Sequence, residues 1–576
     1  MQTLNLGKVW GFPAVVKVFM VALVSWLNSA KKLWRGQQRR RILQFLSLFT
    51  VCLLVVTGCS GKPTPTGKAP VSGQQPGRIS LGTTLTARTL DPADAYETFP
   101  GILLYNLGDR LYTYTPGTTQ LVPQLATTLP QVSGDGLTYT IALRQGVKLH
   151  DGTAFNAEVM AFSIRRFMEN GGRPAFLLAE KIKAVKATGE NQLTITLKAP
   201  FAAFPALLSF SGITPVSPAS YAIGAGKFKP DSFVGTGPYK LASFSSDSIK
   251  LDANPAYWGP TPANQGIDIQ IFSSPANLYN SFKTGSLDIA YQTLDPEQIA
   301  SLERDGQKGG WQVIQAGTNV INYMSLNRTS KPLDDVRVRQ AIAAMVDRPL
   351  LNQRVFKGQA EPLYSLIPPS FDVAQPVFKQ AYGDGNFDKA KTLLNQAGFS
   401  ESNPLTVEVW YPSASTTRSV VANTLKEAIE KGLPGLVTVS VQNTEGATLW
   451  DNVGKGIYPI VLSNWYPDYY DPDTFIQPFL SCETGAEATG CKQGASQANG
   501  SFYYNPQANA LVTQQQGAQD PAARAKLLGQ LQDLMVKDVP YIPLWQNKDY
   551  VFAKTGLKHV KIEPTQQFLL WQIGRS

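Results

Sequence analysis

Hydrophobic and polar positions alternate along Arg78–Thr84, which predicts a first strand with one side against a core. A turn follows at Thr89-Leu-Asp-Pro-Ala-Asp94. Apolar positions at Ile102, Leu103, Tyr105, Leu107 and Leu111 then predict a helix over Ile102–Tyr112. Beyond a turn at Asp135-Gly136, the residues Leu137, Tyr139, Ile141 and Leu143 alternate as a strand with one buried face. Asp151-Gly152 marks a second turn. Asn156 is placed to cap a helix that carries Glu158 in its first turn, where the helix dipole favours an acid. Val159, Met160, Phe162, Ile164 and Phe167 form its apolar side. Val234-Gly-Thr-Gly-Pro-Tyr-Lys-Leu241 reads as a glycine turn into a strand. Asn254-Pro-Ala-Tyr-Trp-Gly259 reads as a rigid aromatic turn whose expected role is surface packing.

The second half changes texture. Asp335 caps a helix with Val338, Ala341, Ile342 and Met345 on one face, stopped before Pro349. Asp388 is expected to cap another, with Ala390, Leu393, Leu394 and Ala397, ended by Gly398. Leu405, Val407, Val409 and Tyr411 alternate as a strand. Val420–Ile429 is helical, and Val437, Val439 and Val441 form a strand again. Strand, helix and strand at this spacing predict a βαβ unit, hence an α/β lobe with ligand loops at one edge. Leu527, Leu528, Leu531, Leu534 and Met535 make a late helix, and Val539–Trp545 an extended buried return. No internal repeat is visible.

Directly after the βαβ unit, a short apolar strand from Ile460 to Ser463 runs into Asn464-Trp-Tyr-Pro-Asp-Tyr-Tyr-Asp-Pro-Asp473. Asp468, Asp471 and Asp473 stand there among Trp465, Tyr466, Tyr469 and Tyr470. Loops leaving the carboxyl ends of strands in α/β folds are where ligands bind. An acid between aromatic walls suits a cationic group held away from bulk water. Asp-Pro-Asp by itself is equally ordinary turn chemistry.

The net charge of +10 invites a nucleic-acid reading, which its distribution removes. Residues 1–58 hold eight Lys or Arg and no Asp or Glu, leaving 44 basic against 42 acidic residues in the remainder. The excess belongs to a leader. Arg39-Arg40-Arg41 forms a positive region, and Ile42–Val56 is apolar but short for a membrane span. Val56-Thr-Gly-Cys59 then resembles the lipobox of bacterial lipoproteins, which makes Cys59 the expected lipidation site and mature N-terminus. The arginines also permit a twin-arginine export reading. Residues 10–28 are apolar but broken by Pro13 and Lys17, and fit a first membrane segment, an extended leader or a start codon set too early. Ser60–Gly77, rich in Pro, Gly, Ser, Thr and Lys, reads as a flexible tether.

Outside leader and lipobox the cysteines are Cys482 and Cys491, nine positions apart, which in an exported chain suggest one disulfide. With His150 and His559 as the only histidines, a zinc site is not expected. The Gly235-Thr-Gly237 turn lacks the third glycine of a dinucleotide fingerprint, and Pro238 blocks a helix start. Neither a Gly-x-Ser-x-Gly elbow nor a His-Glu-x-x-His pair occurs, so an enzyme is not expected. No cofactor is implied.

Six segments together carry a resemblance. Asp135-Gly-Leu-Thr-Tyr-Thr with Leu143-Arg-Gln-Gly-Val-Lys-Leu-His-Asp-Gly-Thr153, Gly235–Tyr239, Asn254–Gly259, Asp335-Val-Arg-Val-Arg-Gln-Ala341, the helix from Asp388 to Gly398, and Trp465–Phe475 occur in this order. Residues 78–576 thereby resemble the family 5 extracellular solute-binding proteins, which include the dipeptide- and oligopeptide-binding proteins of ABC importers. The resemblance implies an α/β fold of the periplasmic-binding-protein type II: two lobes with a hinge and an extra subdomain in the first lobe. It implies lobe I at 78–112, 226–318 and 540–576, the subdomain at 113–225, and lobe II at 319–539, behind a leader (1–58) and a tether (59–77). Closure on ligand would be a rigid-body rotation of the lobes.

In peptide-binding members, the acid of a Trp-x-x-Asp segment pairs with the ligand's α-ammonium. Here that acid is Asp468, in Trp465-Tyr-Pro-Asp468. Asn464 and Trp465 match positions that offer main-chain groups to the peptide, with Tyr466 beside them. The chain departs from the pattern at Pro467, which has no N–H to donate, and at Asn464, where peptide binders often carry Gly. Asp471 and Asp473 are read as turn and helix-start residues, and Cys482–Cys491 falls where some members carry a disulfide loop. The implied function is a membrane-tethered, monomeric receptor that captures short peptides outside the cytoplasmic membrane for an ABC permease and its ATPase. Other solutes of the same fold (oligosaccharides, opine-like compounds, metal chelates) and a peptide-sensing role are the alternatives.

Overall fold

The computed structural model describes residues 77–576. The leader, Cys59 and the tether up to residue 76 lie outside the described residues. Among the described residues, no helix is long and apolar enough to cross a membrane.

Eleven strands build one large mixed sheet. In chain order they are β1 (Arg78–Thr83), β2 (Tyr239–Phe244), β3 (Ser248–Ala253), β4 (Gly266–Ile271), β5 (Ile289–Tyr291), β6 (Trp311–Leu326), β7 (Ala360–Pro362), β8 (Leu405–Pro412), β9 (Val437–Thr444), β10 (Ile460–Trp465) and β11 (Tyr541–Lys554). Across the sheet the order is β9-β8-β10-β6-β11-β5-β1-β4-β3-β2, with β7 on β11. The two long central strands, β6 and β11, run antiparallel, and their register shifts between Gly317 and Ile321. At that break Asn319 takes a left-handed backbone (φ 57°), Ser370 Oγ donates to its Oδ1 at 2.6 Å, and its Nδ2 donates to Pro564 O at 2.9 Å. A twisted bulge of this kind bends a strand locally. β6 and β11 are the two crossings that link one half of the sheet to the other.

The apolar residues collect accordingly. One core joins β6, β8, β9 and β10 to the helices between Val336 and Val539. A second lies between Leu111 and Ile213, around a four-stranded sheet of residues 131–197. A third joins β1, the helix α1 (Thr98–Leu107), β2–β5 and the C-terminal segment to Ile573. The architecture is the two-lobed α/β fold of periplasmic binding proteins.

The parallel pair β8–β9, joined by the helix α5 (Thr416–Gly432), forms the expected βαβ unit. Earlier helices are α2 (Ala157–Glu169), capped by Asn156 Oδ1 on the Val159 N–H at 3.0 Å, and α3 (Val336–Met345), capped by Asp335. Three expectations need correction. The first helix runs over Thr98–Leu107 rather than Ile102–Tyr112, because the chain turns extended at Gly108 and Tyr112 enters a short strand with Pro123. A Cβ at Gly108 would stand 2.3 Å from Thr214 Oγ1, so the stop is fixed by close packing. The helix α4 (Phe387–Gln396) is capped by Asn386, whose side chain accepts from Lys389 N; Asp388 lies within its first turn. The return after Val539 is much longer than Val539–Trp545, because β11 pairs with β6 through to Lys554.

His150 and the aromatic turn have structural tasks. The Gly235 N–H donates to His150 Nδ1 at 3.3 Å, and Nε2 lies 3.1 Å from Gly237 O, which staples the glycine turn. Burial pushes this imidazole down to about 4, so it is neutral. Tyr257 Oη and Trp258 Nε1 donate at 3.0 and 2.8 Å to Asp109, a buried acid, so the turn is fastened inward rather than merely packed on the surface.

Candidate functional site

β10 brings the loop to the cleft. Ile460–Ser463 are buried between β8 and β6, and the chain leaves the sheet at Trp465. The loop then meets residues from far away in sequence across a cavity of about 520 Å³. Asn464, Trp465, Tyr466, Pro467, Asp468 and Tyr470 form one wall; Tyr96–Thr98, Gly101, Ile102 and Tyr105 with Phe210 and Ser211 form the other, and Thr565 and Gln566 close one end.

The three loop acids have different fates. Asp471 caps the 3₁₀ turn Pro472–Phe475 and is gripped by Arg524, whose Nη1 and Nη2 donate to its two oxygens at 2.7 and 2.5 Å. Arg524 comes from α7 (Pro521–Asp538), which follows α6 (Pro506–Gly517). Asp473 is fully buried and accepts from Tyr469 Oη at 2.9 Å, from Gln516 Nε2 at 3.1 Å and from Gln515 Nε2. Both acids hold the loop. Asp468 accepts instead from Tyr96 Oη alone, at 2.7 Å from the opposite wall, and no cation reaches it among the described residues. Burial pushes its carboxyl up to about 6, against a small opposing pull from the Tyr96 hydroxyl. Burial, and then the Asp468 charge, drive the Tyr96 hydroxyl upward as well.

The other expected site residues lie on the same wall in different ways. Tyr466 is 51% exposed and presents an open aromatic face. Trp465 packs edge-on against Phe479 with ring centres 5.6 Å apart, and its buried indole N–H has no partner among the described residues. The Asn464 side-chain oxygen accepts from Arg418 Nη2, so that acceptor is already engaged. Arg418, near the start of α5, makes no ion pair among the described residues, and its buried Nε lacks a partner. Burial lowers the pKa of its guanidinium. Tyr470 stacks edge-on with Tyr114 at 5.4 Å and donates its N–H to Tyr114 Oη at 3.2 Å, tying the loop to the short strand Tyr112–Tyr114.

Tyr96, Phe210, Arg418 and Gln566 have no mark in the sequence that would single them out. They sit 46 to 372 positions from their loop partners where hydrogen bonds connect them, and only the fold supplies that proximity. Cys482 and Cys491 are bonded in the structure, closing the hairpin of Thr484–Ala486 and Gly490–Gln493. Among the described residues, no group of three or more His, Cys, Asp or Glu is arranged to hold a metal ion.

This arrangement is an open, aromatic, amphipathic cleft that offers one carboxylate without a cation partner among the described residues. Comparison with known proteins agrees with a binding role. The family described as bacterial extracellular solute-binding proteins, family 5, matches residues 120–487. The chain is 28% identical over 479 residues to the glutathione-binding protein GsiB of Escherichia coli O1:K1, a match covering 81% of this chain and 88% of that protein. Among solved structures, the periplasmic binding protein DppA from Helicobacter pylori in complex with peptide STSA is 22% identical, with a TM-score of 0.67 over 87% of this chain and 98% of that one. NikA from Brucella suis in complex with Fe(III)-EDTA is 20% identical, with a TM-score of 0.74 over 87% of this chain and 100% of that one. The structural matches establish the fold, and the family match covers most of the body. The chain belongs to the family 5 bacterial extracellular solute-binding proteins, and is a substrate-binding component of ABC importers rather than an enzyme.

Proposed function

We propose that this protein captures short peptides by their α-ammonium group and delivers them to an ABC permease, from a position tethered to the membrane by lipidated Cys59. The observation that carries the reading is Asp468: a carboxylate in an aromatic cleft, held by one neutral hydroxyl at 2.7 Å and by no cation among the described residues. A compact ammonium would complete it with a charge-assisted hydrogen bond, and enclosure would strengthen the pair. Trp465 adds an unpartnered indole N–H, and Tyr466 an open ring face, for peptide groups and side chains. The ligands named for two relatives, glutathione and the peptide STSA, share a free α-amino group and amide bonds.

On this reading residues 319–539 act as one lobe and the rest of the body as the other, with subdomain 113–225 attached to it. β6 and β11 are then the hinge, and ligand binding favours the closed state by contacting both walls. The test is native mass spectrometry of the purified protein with sequencing of what it carries. A set of short peptides, lost on Asp468→Ala, is the expected result. A single non-peptide mass, or peptides retained by Asp468→Ala, would move the function to another solute or the anchor to another residue.

A further inference from the structure

We infer that Tyr96, Phe176 and Phe210 form an aromatic subsite beside Asp468 that receives the side chain of the ligand's first residue, so that the favoured peptides begin with an aromatic residue. This deepens the peptide reading above and rests on it.

The subsite belongs to the cleft itself. Tyr96, Phe210, Tyr466 and Asp468 line the same cavity of about 520 Å³. The Tyr96 ring carries the hydroxyl that reaches Asp468 Oδ1 at 2.7 Å, so an aromatic surface begins at the atom proposed to hold the ammonium. Phe210 lies tilted beside that ring with centres 6.2 Å apart, and Phe176, which opens the short helix Phe176–Ala179, meets it edge-on at 5.9 Å. Phe210 in turn packs edge-on at 6.2 Å against Phe167 of α2, which is buried. The row is thus rooted in the core between Leu111 and Ile213 and runs out to the acid.

Internal packing does not account for the whole row. Tyr96 is 38% and Phe176 42% exposed, and Tyr466 bares its ring from the opposite wall. Large rings left open to water side by side mark a surface that another group covers. Aromatic rings with centres about 4.5–7 Å apart attract one another beyond the area they bury, and the spacing within this row is already of that kind.

Position selects which ligand residue is read. In a peptide the α-ammonium and the first side chain are borne by the same carbon. A ligand whose ammonium sits on Asp468 therefore lays its first side chain against the groups next to that acid. Charge nearby does not favour an ionic side chain instead. Glu97, the other acid of the cavity, is already held by Arg88 Nε at 3.0 Å and Arg173 Nη1 at 2.7 Å, which also engages both arginines. The peptide STSA begins with serine, and the first residue of glutathione bears a carboxylate, so the inference separates this chain from the ligands named for its relatives.

Calorimetric titration of the full-length protein with X-Ala-Ala and Ala-X-Ala tripeptides tests it, X being alanine, leucine, lysine, phenylalanine or tryptophan. Phe-Ala-Ala and Trp-Ala-Ala are expected to bind at least about tenfold more tightly than Ala-Ala-Ala, whereas Ala-Phe-Ala gains less than about threefold. The ratio between Phe-Ala-Ala and Ala-Ala-Ala falls to about threefold or less in Phe210→Ala, and falls in Phe176→Ala, whose exposed ring can be removed without opening the core. The wild-type series needs no variant to fold. Equal affinity across X-Ala-Ala, leucine as good as phenylalanine, the same preference at the second position, or a ratio unchanged in both variants overturns the subsite and leaves the peptide reading standing. Failure of every peptide to bind overturns the peptide reading, and the subsite with it.

Discussion

Tyr96 Oη donates a 2.7 Å hydrogen bond to Asp468 Oδ1, joining two residues 372 positions apart across the cleft. The bond spans the two walls of the site at the atom proposed to receive the ammonium. A ligand must share or displace that hydroxyl. Tyr96→Phe removes the hydroxyl's stabilising pull on the carboxylate, so the Asp468 titration moves above about 6. Peptide affinity in this variant is expected to fall more at pH 6 than at pH 8. Calorimetry at the two pH values checks this; an equal change at both would show that the hydroxyl does not tune the acid.

Asp468→Asn separates binding from folding. The variant loses the charge-assisted bond to the ammonium, a loss of about 1.5–3 kcal/mol or roughly 10- to 100-fold in Kd. The folded protein gains, because a carboxyl pushed up to about 6 by burial favours its neutral form and is a burden when ionised at neutral pH. Thermal unfolding at pH 7.5 is expected to show an unchanged or higher Tm beside the lost affinity. A lower Tm with the same loss of binding would point to damage to the cleft.

The pH dependence has a definite sign. Burial pushes the Asp468 carboxyl up to about 6, and binding an ammonium favours the ionised form. Affinity is therefore fullest above pH 6 and declines as pH falls through that value, with a proton released on binding near pH 6. For stability the same group works in the other direction: its native pKa lies above the unfolded one of about 4. Its contribution falls as pH rises between about 4 and 6 and is level above that window. Titrations in buffers of different ionisation enthalpy count the proton directly.

Arg524 is the structural counterpart of the binding acid. Its two nitrogens grip Asp471 at 2.7 and 2.5 Å and fix the loop that presents Asp468. Arg524→Met leaves Asp471 sequestered without a cation, and removal of one partner from a buried pair costs about 3–5 kcal/mol. Denaturant unfolding should show that loss. The double variant Arg524→Met with Asp471→Asn should recover part of it, since no unpaired charge then remains.

Several features of this chain were legible because they are local. Alternation at Leu405–Tyr411 and Val437–Val441, the helix between them and the short apolar run Ile460–Ser463 are dictated by neighbours within a few positions, and each forms as read. Capping by Asn156 and Asp335 is local in the same sense. The first helix ended early for a tertiary reason, the close packing of Gly108 on Thr214, whereas the cap at Asn386 differed because two neighbouring polar residues, Asn386 and Asp388, both suit a helix start.

For the site, the sequence alone determined that an aromatic, acidic loop follows a buried strand, and motif order within that loop pointed to Asp468. It could not rank the three acids by chemistry, since Asp468, Asp471 and Asp473 look alike along the chain. Tertiary structure decided that Arg524 neutralises Asp471, that Gln515, Gln516 and Tyr469 satisfy Asp473, and that Asp468 meets only Tyr96. The physical reason is range. Backbone preference and periodicity act over a few residues, whereas desolvation and charge pairing depend on atoms a few ångströms away that are supplied by distant parts of the chain.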